Sequence, residues 1–187
     1  MAVERLPEGQ RWLDEPIVYD IGPVAPVDLE AYRLRLFGAV AHPLTLTWQE
    51  IVAMPCVELV RDFHCVTAWS VRSIAWQGVR VRDLIDRVTP DPEALWVLVR
   101  GRDGYSTNVP IEDFARPDNL LAYRMNGVPL PSKHGHPLRL VLPGLYAWKS
   151  AKYVETIEFL SHLKRGFWEE RGYHDRGDPW REERFRT

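Results

Sequence analysis

The sequence predicts an α+β fold in which short strands predominate and a few short helices lie between them. Fifteen prolines in 187 residues leave little room for long helices. Several segments alternate apolar and polar residues with the period of a strand. Asn126-Gly127, a strong hairpin signal, separates two apolar runs. A chain of this length is expected to form one domain, residues 1–187, around one core.

The first third of the chain is expected to contain an extended arm, two strands and a short helix. Residues 1–26 are polar and rich in proline, which predicts an N-terminal arm. The segment Tyr32–Gly38 alternates and ends in glycine, as a strand does. Thr47 and Glu50 have capping-box spacing and predict that a helix begins there. Alternation returns over residues 56–65 and predicts a second strand.

Later segments also have the residue spacing of regular elements. Helical spacing occurs in VRVRDLIDRV (79–88) and, for a single turn, in IEDFA (111–115). Strands are predicted in ALWVLVRG (94–101), on both sides of the turn within LLAYRMNGVPLP (120–131), in PLRLVLPG (137–144) and in KYVETIEF (152–159). The aromatic and charged residues 165–187 are predicted to form a C-terminal tail.

Composition excludes several classes of function. The formal net charge is 24 − 26 = −2, so no basic excess favours nucleic acid or an anionic membrane surface. No segment approaches the ~20 apolar residues that cross a bilayer, so no membrane insertion is expected. The first sixteen residues lack a basic segment followed by an apolar one, and they lack a twin arginine, which predicts a cytoplasmic protein. In that compartment Cys56 and Cys65 are both expected to be thiols.

Cys65 follows His64 in the segment HCVTAWS, and its residue pattern allows three interpretations. In the first, Cys65 is a buried structural thiol, since free cysteine is among the most buried residue types. In the second, Cys65 is a nucleophile, although neighbouring residues of a strand face opposite ways, which makes His64 a poor base. In the third, Cys65 is a thiolate ligand of a metal centre whose cofactor supplies the other ligands. Zinc is disfavoured, because no C-x-x-C or H-x-x-x-H spacing occurs.

The third interpretation requires an anchor for an anionic cofactor, and the segment from Lys133 to Lys152 offers one. Four basic residues bracket a strand and a Pro-Gly turn: Lys133, Arg139, Lys149 and Lys152. Arginine suits bidentate contacts to phosphate, and lysine supplies a point charge. The alternative is a hairpin whose basic side chains are solvated at its edge.

Together, two segments resemble the molybdopterin-binding domain of the sulfite oxidase family. LLAYRMNGVPLPSKHGHPLRLVLPG is similar to the family signature, a Met-Asn-Gly hairpin followed by Pro-Leu-Pro and His-Gly-x-Pro-x-Arg. HCVTAWS is more similar to the branch of the protein-methionine-sulfoxide reductase catalytic subunit than to sulfite oxidase itself. The resemblance runs from Tyr32 to Phe159. It implies a sulfite oxidase-type fold of mixed, short-stranded sheets.

The resemblance also implies cofactors, a reaction and site residues. The cofactors would be molybdenum and molybdopterin, a pyranopterin dithiolene, and the reaction a two-electron oxygen-atom transfer. By resemblance the site residues are Cys65 as the metal ligand, Tyr105 as an active-site tyrosine, His134 and Arg139 as cofactor contacts, and Ser150, Ala151 and Lys152 as the loop over the cofactor phosphate. A tryptophan-rich wall that includes Trp69 would exclude water from the metal.

Departures from the family pattern bear on the substrate. Sulfite oxidases follow their cysteine with Gly-Asn-Arg-Arg, whereas Ser70 stands at that arginine position here. The family's N-terminal Arg-Asn pair corresponds to Tyr19-Asp20. Loss of these cations favours a neutral small molecule, a sulfoxide or an N-oxide that is reduced. A separate protein is expected to act as electron donor or acceptor. The alternatives are sulfite oxidation, with Arg72 supplying the cation, and a non-catalytic molybdopterin-binding protein.

Overall fold

A computed structural model describes residues 6–186. In chain order these residues form the strands β1 (Arg11–Leu13), β2 (Arg33–Gly38), β3 (Leu44–Thr47), β4 (Cys56–Cys65), β5 (Trp69–Arg80), β6 (Trp96–Gly101), β7 (Ser106–Pro110), β8 (Leu120–Met125), β9 (Val128–Pro129), β10 (Arg139–Val141) and β11 (Val154–Leu160). The α-helices are α1 (Trp48–Val52), α2 (Val81–Val88) and α3 (Ile111–Phe114). Short 3₁₀ turns cover Ser132–His134, Ala147–Lys149, Glu169–Arg171 and Pro179–Arg181. The predicted α+β class, with strands predominating, is confirmed.

The strands form two mixed sheets. In the first, β1, β5, β8 and β10 are neighbours in that order, with β4 on β5 and β9 on β8. The second has the order β3-β2-β11-β6-β7. The pairs β1–β5 and β2–β11 are parallel, and the remaining pairs are antiparallel. The parallel pair β1–β5 brings the N-terminal segment beside Trp69, at the start of β5.

The hairpin of β4 and β5 carries the candidate metal ligand. Cys65 ends β4 and pairs with Trp69. In the intervening turn Ala68 has a φ of 68°, in the left-handed region. This conformation was not predictable, because the turn contains no glycine or asparagine. The twelve-residue strand β5 was not predicted, because the polar pair Arg72-Ser73 interrupts its alternation. Pairing with β1, β4 and β8 makes this segment a strand despite its local pattern.

Several local predictions are confirmed in detail. Thr47 Oγ1 accepts a hydrogen bond from the Glu50 amide (3.2 Å), and Glu50 Oε2 accepts one from the Thr47 amide (2.7 Å), which completes the capping box. Asn126 and Gly127 have φ values of 50° and 78°, as the two central residues of a type I′ hairpin turn require. Helices α2 and α3 lie within the segments with helical spacing.

Buried apolar side chains form two clusters. The larger one draws on both sheets and includes Leu34, Val97 and Ile157. The smaller one packs on the first sheet and includes Cys65 and Trp69. Cys65 therefore lies in apolar surroundings.

The two ends of the chain have little regular structure. Of the predicted arm, residues 1–5 lie outside the described part, and residues 6–26 contain β1, which the sequence did not indicate. Residues 165–186 of the predicted tail contain the last two 3₁₀ turns. Within residues 6–186 no helix is both long and apolar enough to cross a bilayer. The division into one domain with an arm and a tail stays a prediction.

Candidate active site

A cavity of about 390 Å³ lies at the turn between β4 and β5. Its walls come from segments that are far apart in the chain. They are residues 16–21 of the arm, Phe63, Cys65, Val66, Thr67 and Trp69 of the hairpin, Asp103 and Tyr105, the basic segment with Lys133, His134, Arg139, Ala147, Trp148, Ser150 and Lys152, and Trp168 and Tyr173 of the tail. Trp69 is thus in the cavity wall, as the sequence predicted.

Cys65 is a free thiol at the edge of this cavity and is 6% exposed. Its Sγ lies 3.3 Å from Thr67 Oγ1. Burial raises the pKa of the thiol, an effect that the contacts with Thr67 and the charge of Arg184 partly offset. A buried neutral thiol is a poor nucleophile, but a bound cation would favour the thiolate. The environment therefore suits a metal ligand better than a free catalytic thiol.

His64 points away from the Cys65 thiol. Its Nδ1 lies 2.7 Å from Ser70 Oγ, which in turn donates to Gln10 Oε1 (3.1 Å). Burial lowers the pKa of His64. This geometry gives no support to a Cys-His nucleophile. Ser70, which by resemblance stands at the arginine position of sulfite oxidases, is buried, bonds His64 and does not line the cavity.

Segments from both ends of the chain hold the turn that follows Cys65. Gln10 Nε2 donates to the Cys65 carbonyl (3.0 Å), and the Arg11 amide donates to the Ala68 carbonyl (3.1 Å). From the tail, the Arg184 guanidinium donates to the Val66 carbonyl. These contacts were not predictable from the sequence, because nothing in the local pattern links residues so far apart.

Arg139 lies in the cavity wall and is 6% exposed. Its Nη1 and Nη2 atoms donate to the carbonyls of His134 (3.1 Å) and Ser150 (3.2 Å). Its Nε is buried and has no hydrogen-bond partner among residues 6–186. Burial lowers the pKa of Arg139 to about 10, so it remains charged at neutral pH. A buried cation with an unused donor is well suited to an anionic ligand.

His134 lies beside three cations. Burial lowers its pKa to about 4, with further lowering by Arg139, Lys133 and Lys152. Gly135, at φ 111°, allows the loop to pass close to Lys152, since a Cβ at this glycine would lie 2.9 Å from Lys152 Cβ. The fold therefore concentrates positive potential on one side of the cavity.

The position of His134 predicts a pH effect on the cofactor-free protein. Its pKa in the folded protein is below the ordinary 6.5, so its stabilising contribution is complete above pH 6.5 and is lost as the pH falls towards 4. We expect the unfolding free energy to lose about 2–3 kcal/mol over this range through His134. Urea denaturation of wild type and His134→Gln at each pH measures the difference between their unfolding free energies. The contributions of the other titrating groups are common to both proteins and cancel in this difference. A parallel pH dependence of the two proteins would contradict it.

The other predicted site residues differ in what they contact. Ser150 lines the cavity, and its Oγ accepts from the Leu142 amide (2.9 Å). Ala151 is buried behind the wall, where its carbonyl accepts from the Leu140 amide (2.8 Å). Lys152 lines the cavity and forms an ion pair with the Asp20 carboxylate. The structure thus brings six of the seven predicted site residues together at the cavity, whereas Ala151 does not line it.

Tyr105 lies in the cavity wall with its hydroxyl already engaged. The hydroxyl donates to the Trp148 carbonyl (2.5 Å). Burial strongly raises the pKa of Tyr105, with a further rise from Glu169 and Asp103. In this structure Tyr105 is a neutral wall residue, and its role as an active-site tyrosine stays a prediction.

One basic residue of the segment lies elsewhere than its neighbours. Lys149 is completely buried, does not line the cavity, and forms an ion pair with Glu169 (2.6 Å). It therefore does not contribute to the cationic side of the site.

Trp148, Trp168, Tyr173, Thr67 and Asp103 line the cavity without having been predicted. For Trp168 and Tyr173, the high aromatic content of the tail was the only sequence signal.

The residues present fit molybdenum bound to a pterin. Cys65 supplies a soft sulfur ligand at an enclosed site, and Arg139 in the cavity wall has a buried Nε without a hydrogen-bond partner among residues 6–186. Within residues 6–186, no three His, Cys, Asp or Glu side chains lie close enough together to bind a metal ion alone.

Comparison with known proteins agrees with this chemistry. Across 84% of its length, the chain is 44% identical to the uncharacterized oxidoreductase YuiH of Bacillus subtilis, of which it covers 80%. It is 29% identical to the protein-methionine-sulfoxide reductase catalytic subunit MsrP of Campylobacter jejuni, over 74% of this chain and 52% of that protein. The chain thus spans about half of that reductase subunit.

The fold is also shared with a solved structure. The sulfane dehydrogenase SoxCD from Paracoccus pantotrophus superposes with a TM-score of 0.67 and 22% identity, over 74% of this chain and 40% of that chain. Residues 21–168 match the family described as the oxidoreductase molybdopterin binding domain. This match spans the hairpin, the basic segment and Trp168, so it contains most of the cavity wall. The protein therefore belongs to the oxidoreductase molybdopterin-binding domain family.

Proposed function

We propose that this protein uses molybdenum and molybdopterin to reduce a neutral sulfoxide or N-oxide, with the Cys65 thiolate as the metal ligand. Family membership makes it a molybdopterin oxidoreductase of the sulfite oxidase type. The observation that carries the proposal is the shared cavity, in which the buried Cys65 thiol, His134 and the cations Arg139 and Lys152 form one site.

Each group in the cavity has a task in this proposal. Arg139 binds the anionic part of the cofactor, and Lys152 adds a second positive charge beside Asp20. Cys65 provides the thiolate. When bound, the cofactor supplies a metal that changes oxidation state by two electrons and exchanges one oxygen atom.

The surrounding side chains control solvent and protons. Trp69, Trp148 and Tyr173 line the cavity and limit water near the thiolate. The Thr67 hydroxyl, 3.3 Å from Cys65 Sγ, donates to the sulfur once the thiol has lost its proton. Tyr19 OH lies 3.3 Å from Thr67 Oγ1, which links the arm to the same group.

Support for a neutral substrate comes from the charges near Cys65. The residues that follow it in the cavity, Val66, Thr67 and Trp69, are uncharged. Arg72, the candidate sulfite-binding cation, does not line this cavity, and its guanidinium lies 4.4 Å from the centre of the Trp12 ring. Arg184, whose charge also reaches Cys65, does not line the cavity and donates to the Val66 carbonyl, so a dianion beside Cys65 would lose hydration without a direct ion pair.

Reduction of a sulfoxide consumes two electrons and two protons and yields a thioether and water. We propose that a separate protein delivers the electrons. The names of several relatives as reductase subunits support this, since they imply assembly with another chain in those proteins. A cytoplasmic location stays a prediction.

The proposal predicts a clear difference between two substrates. With a reduced viologen dye as donor, the molybdenum-loaded protein is expected to reduce a neutral sulfoxide or N-oxide. Sulfite at millimolar concentration is expected to be oxidised negligibly, because the residues that follow Cys65 in the cavity, Val66, Thr67 and Trp69, offer a dianion no charge. Dye oxidation and ferricyanide reduction measure the two reactions. A panel of dialkyl sulfoxides and aromatic N-oxides covers the substrate class.

Sulfite turnover above about 1 per second would overturn the choice of substrate. Arg72→Ala then identifies the cation, because it should abolish sulfite oxidation if Arg72 moves into the site. Arg35→Ala is a matched control, since Arg35 lies on β2 in the other sheet and does not line the cavity. Absence of turnover with every substrate, in protein that contains molybdenum and pterin, would support a non-catalytic binding protein instead.

A further inference from the structure

A buried carboxylate of the C-terminal tail collects three hydrogen-bond donors behind the cavity wall. Glu169 is 0% exposed, and its Oε1 accepts from Thr107 Oγ1 (2.8 Å), Trp148 Nε1 (2.9 Å) and Lys149 Nζ (2.6 Å). The three donors come from two segments, β7 and the 3₁₀ turn Ala147–Lys149. Glu169 thus joins the tail to the part of the chain that leads into Ser150 and Lys152.

Two cavity-lining side chains depend on this carboxylate. Trp148 lines the cavity with its ring, while its indole N–H bonds Glu169 behind the wall. The carbonyl of Trp148 accepts the hydroxyl of Tyr105, the second wall residue. The Trp148 ring also meets Tyr173 edge-on, with ring centres 5.1 Å apart. Through these contacts Glu169 holds the Trp148 side chain in position in the cavity wall.

Lys149 neutralises the carboxylate and ties it further to the tail. Its Nζ donates to the carbonyls of Asn108 (2.7 Å) and Asp175 (2.8 Å) as well as to Glu169. Burial lowers the pKa of Lys149, and Glu169 counteracts this. Apolar residues of similar volume are often as stable as a buried ion pair. Stability alone therefore does not account for the pair, whereas the fixed position of Trp148 does.

We propose that Glu169 is a positioning residue of the active site, which holds Trp148 and, through the Trp148 carbonyl, Tyr105 in the cavity wall. The role of this wall around a cofactor rests on the proposed function. The placement of Trp148 by Glu169 does not, and it is testable without a cofactor.

Two double variants separate positioning from general stability. Glu169→Gln with Lys149→Met removes both charges but keeps an acceptor oxygen for Trp148. Glu169→Leu with Lys149→Met removes both charges and the acceptor. The variants have the same net charge, so a difference between them reports the hydrogen bond. Thr107→Val is a further control, because Thr107 donates to the same oxygen but does not line the cavity.

The first readout is hydrogen exchange of the Trp148 indole N–H, followed by NMR and assigned with Trp148→Phe. We expect exchange at least about tenfold faster in the leucine double variant than in the glutamine one, as loss of one buried hydrogen bond allows. The second readout is release of pterin from the loaded protein, which should also accelerate about tenfold in the leucine variant. Thr107→Val should stay within about twofold of wild type in both.

Equal rates of indole exchange and pterin release in the two double variants would overturn the proposal. Acceleration by Thr107→Val as large as that in the leucine double variant would also overturn it, since either result indicates general loosening. Should the leucine variant fail to fold, Glu169→Ala with Lys149→Met replaces it, since alanine also removes the acceptor oxygen. Indole exchange equal to that of the glutamine double variant would then overturn the proposal. Protein that contains no molybdenum or pterin refutes the proposed function, whereas indole exchange in that same protein still decides the role of Glu169.

Discussion

Replacing Cys65 with serine is expected to abolish oxygen-atom transfer in a protein that remains folded. Serine is similar in volume, and the side chain is buried at the end of β4, so packing changes little. A hydroxyl is a much weaker ligand for a soft metal than a thiolate is. The variant should lose the molybdenum–thiolate absorption band and more than about 99% of dye-linked turnover, while circular dichroism matches that of wild type.

Cys56→Ser is the matched control for this substitution. Cys56 is an exposed free thiol at the first residue of the same strand. Its replacement should leave turnover, molybdenum content and the absorption band unchanged. Activity of wild-type magnitude in Cys65→Ser would refute the metal-ligand assignment, whatever Cys56→Ser shows.

Replacing Arg139 with methionine is expected to lower cofactor occupancy far more than it lowers stability. The guanidinium lies 5.4 Å and 5.0 Å from the ring centres of Phe63 and Trp76, and methionine preserves much of this packing. A charge-assisted contact to the cofactor contributes roughly 1.5–3 kcal/mol, or about a 10- to 150-fold loss of affinity. Pterin fluorescence after acid release, per mole of protein, measures occupancy, and thermal unfolding measures stability.

Arg100→Met provides the comparison. Arg100 also belongs to a strand and forms an ion pair with Glu158 (2.8 Å), but it lies on the second sheet and does not line the cavity. It should retain full occupancy. If Arg139→Met keeps its pterin and only its melting temperature falls, Arg139 is a structural residue that holds the His134 and Ser150 carbonyls.

Elements determined by neighbouring residues were predictable from the sequence. The capping box of Thr47 and Glu50 and the Asn126-Gly127 turn depend on contacts within four residues, so their residue types are sufficient. Strand β5 was not predictable in this way. Its residues Arg72 and Ser73 break the alternation, and it becomes a strand because β1, β4 and β8 supply hydrogen bonds from distant parts of the chain.

The residues of the site fall into the same two groups, those that were predictable from the sequence and those that only the fold reveals. Cys65, His134, Arg139 and Lys152 were found because two short motifs contain them, and the structure places all of them at one cavity. Glu169 carries no such signal. A lone glutamate in a charged tail is ordinarily solvated, and only the fold buries it against Trp148.

By itself, the sequence determined the strand-rich class, the local turns and caps, the family, and the residues that motifs carry. Tertiary structure alone decided which way each side chain faces and which distant segments meet. Cys65 enters the cavity while Ser70, across the same hairpin, turns to His64 behind it, and the tail closes the wall with Trp168 and Tyr173. Motifs encode short-range chemistry, whereas the facing of a side chain depends on strand register and burial, which pair residues that lie far apart in the chain.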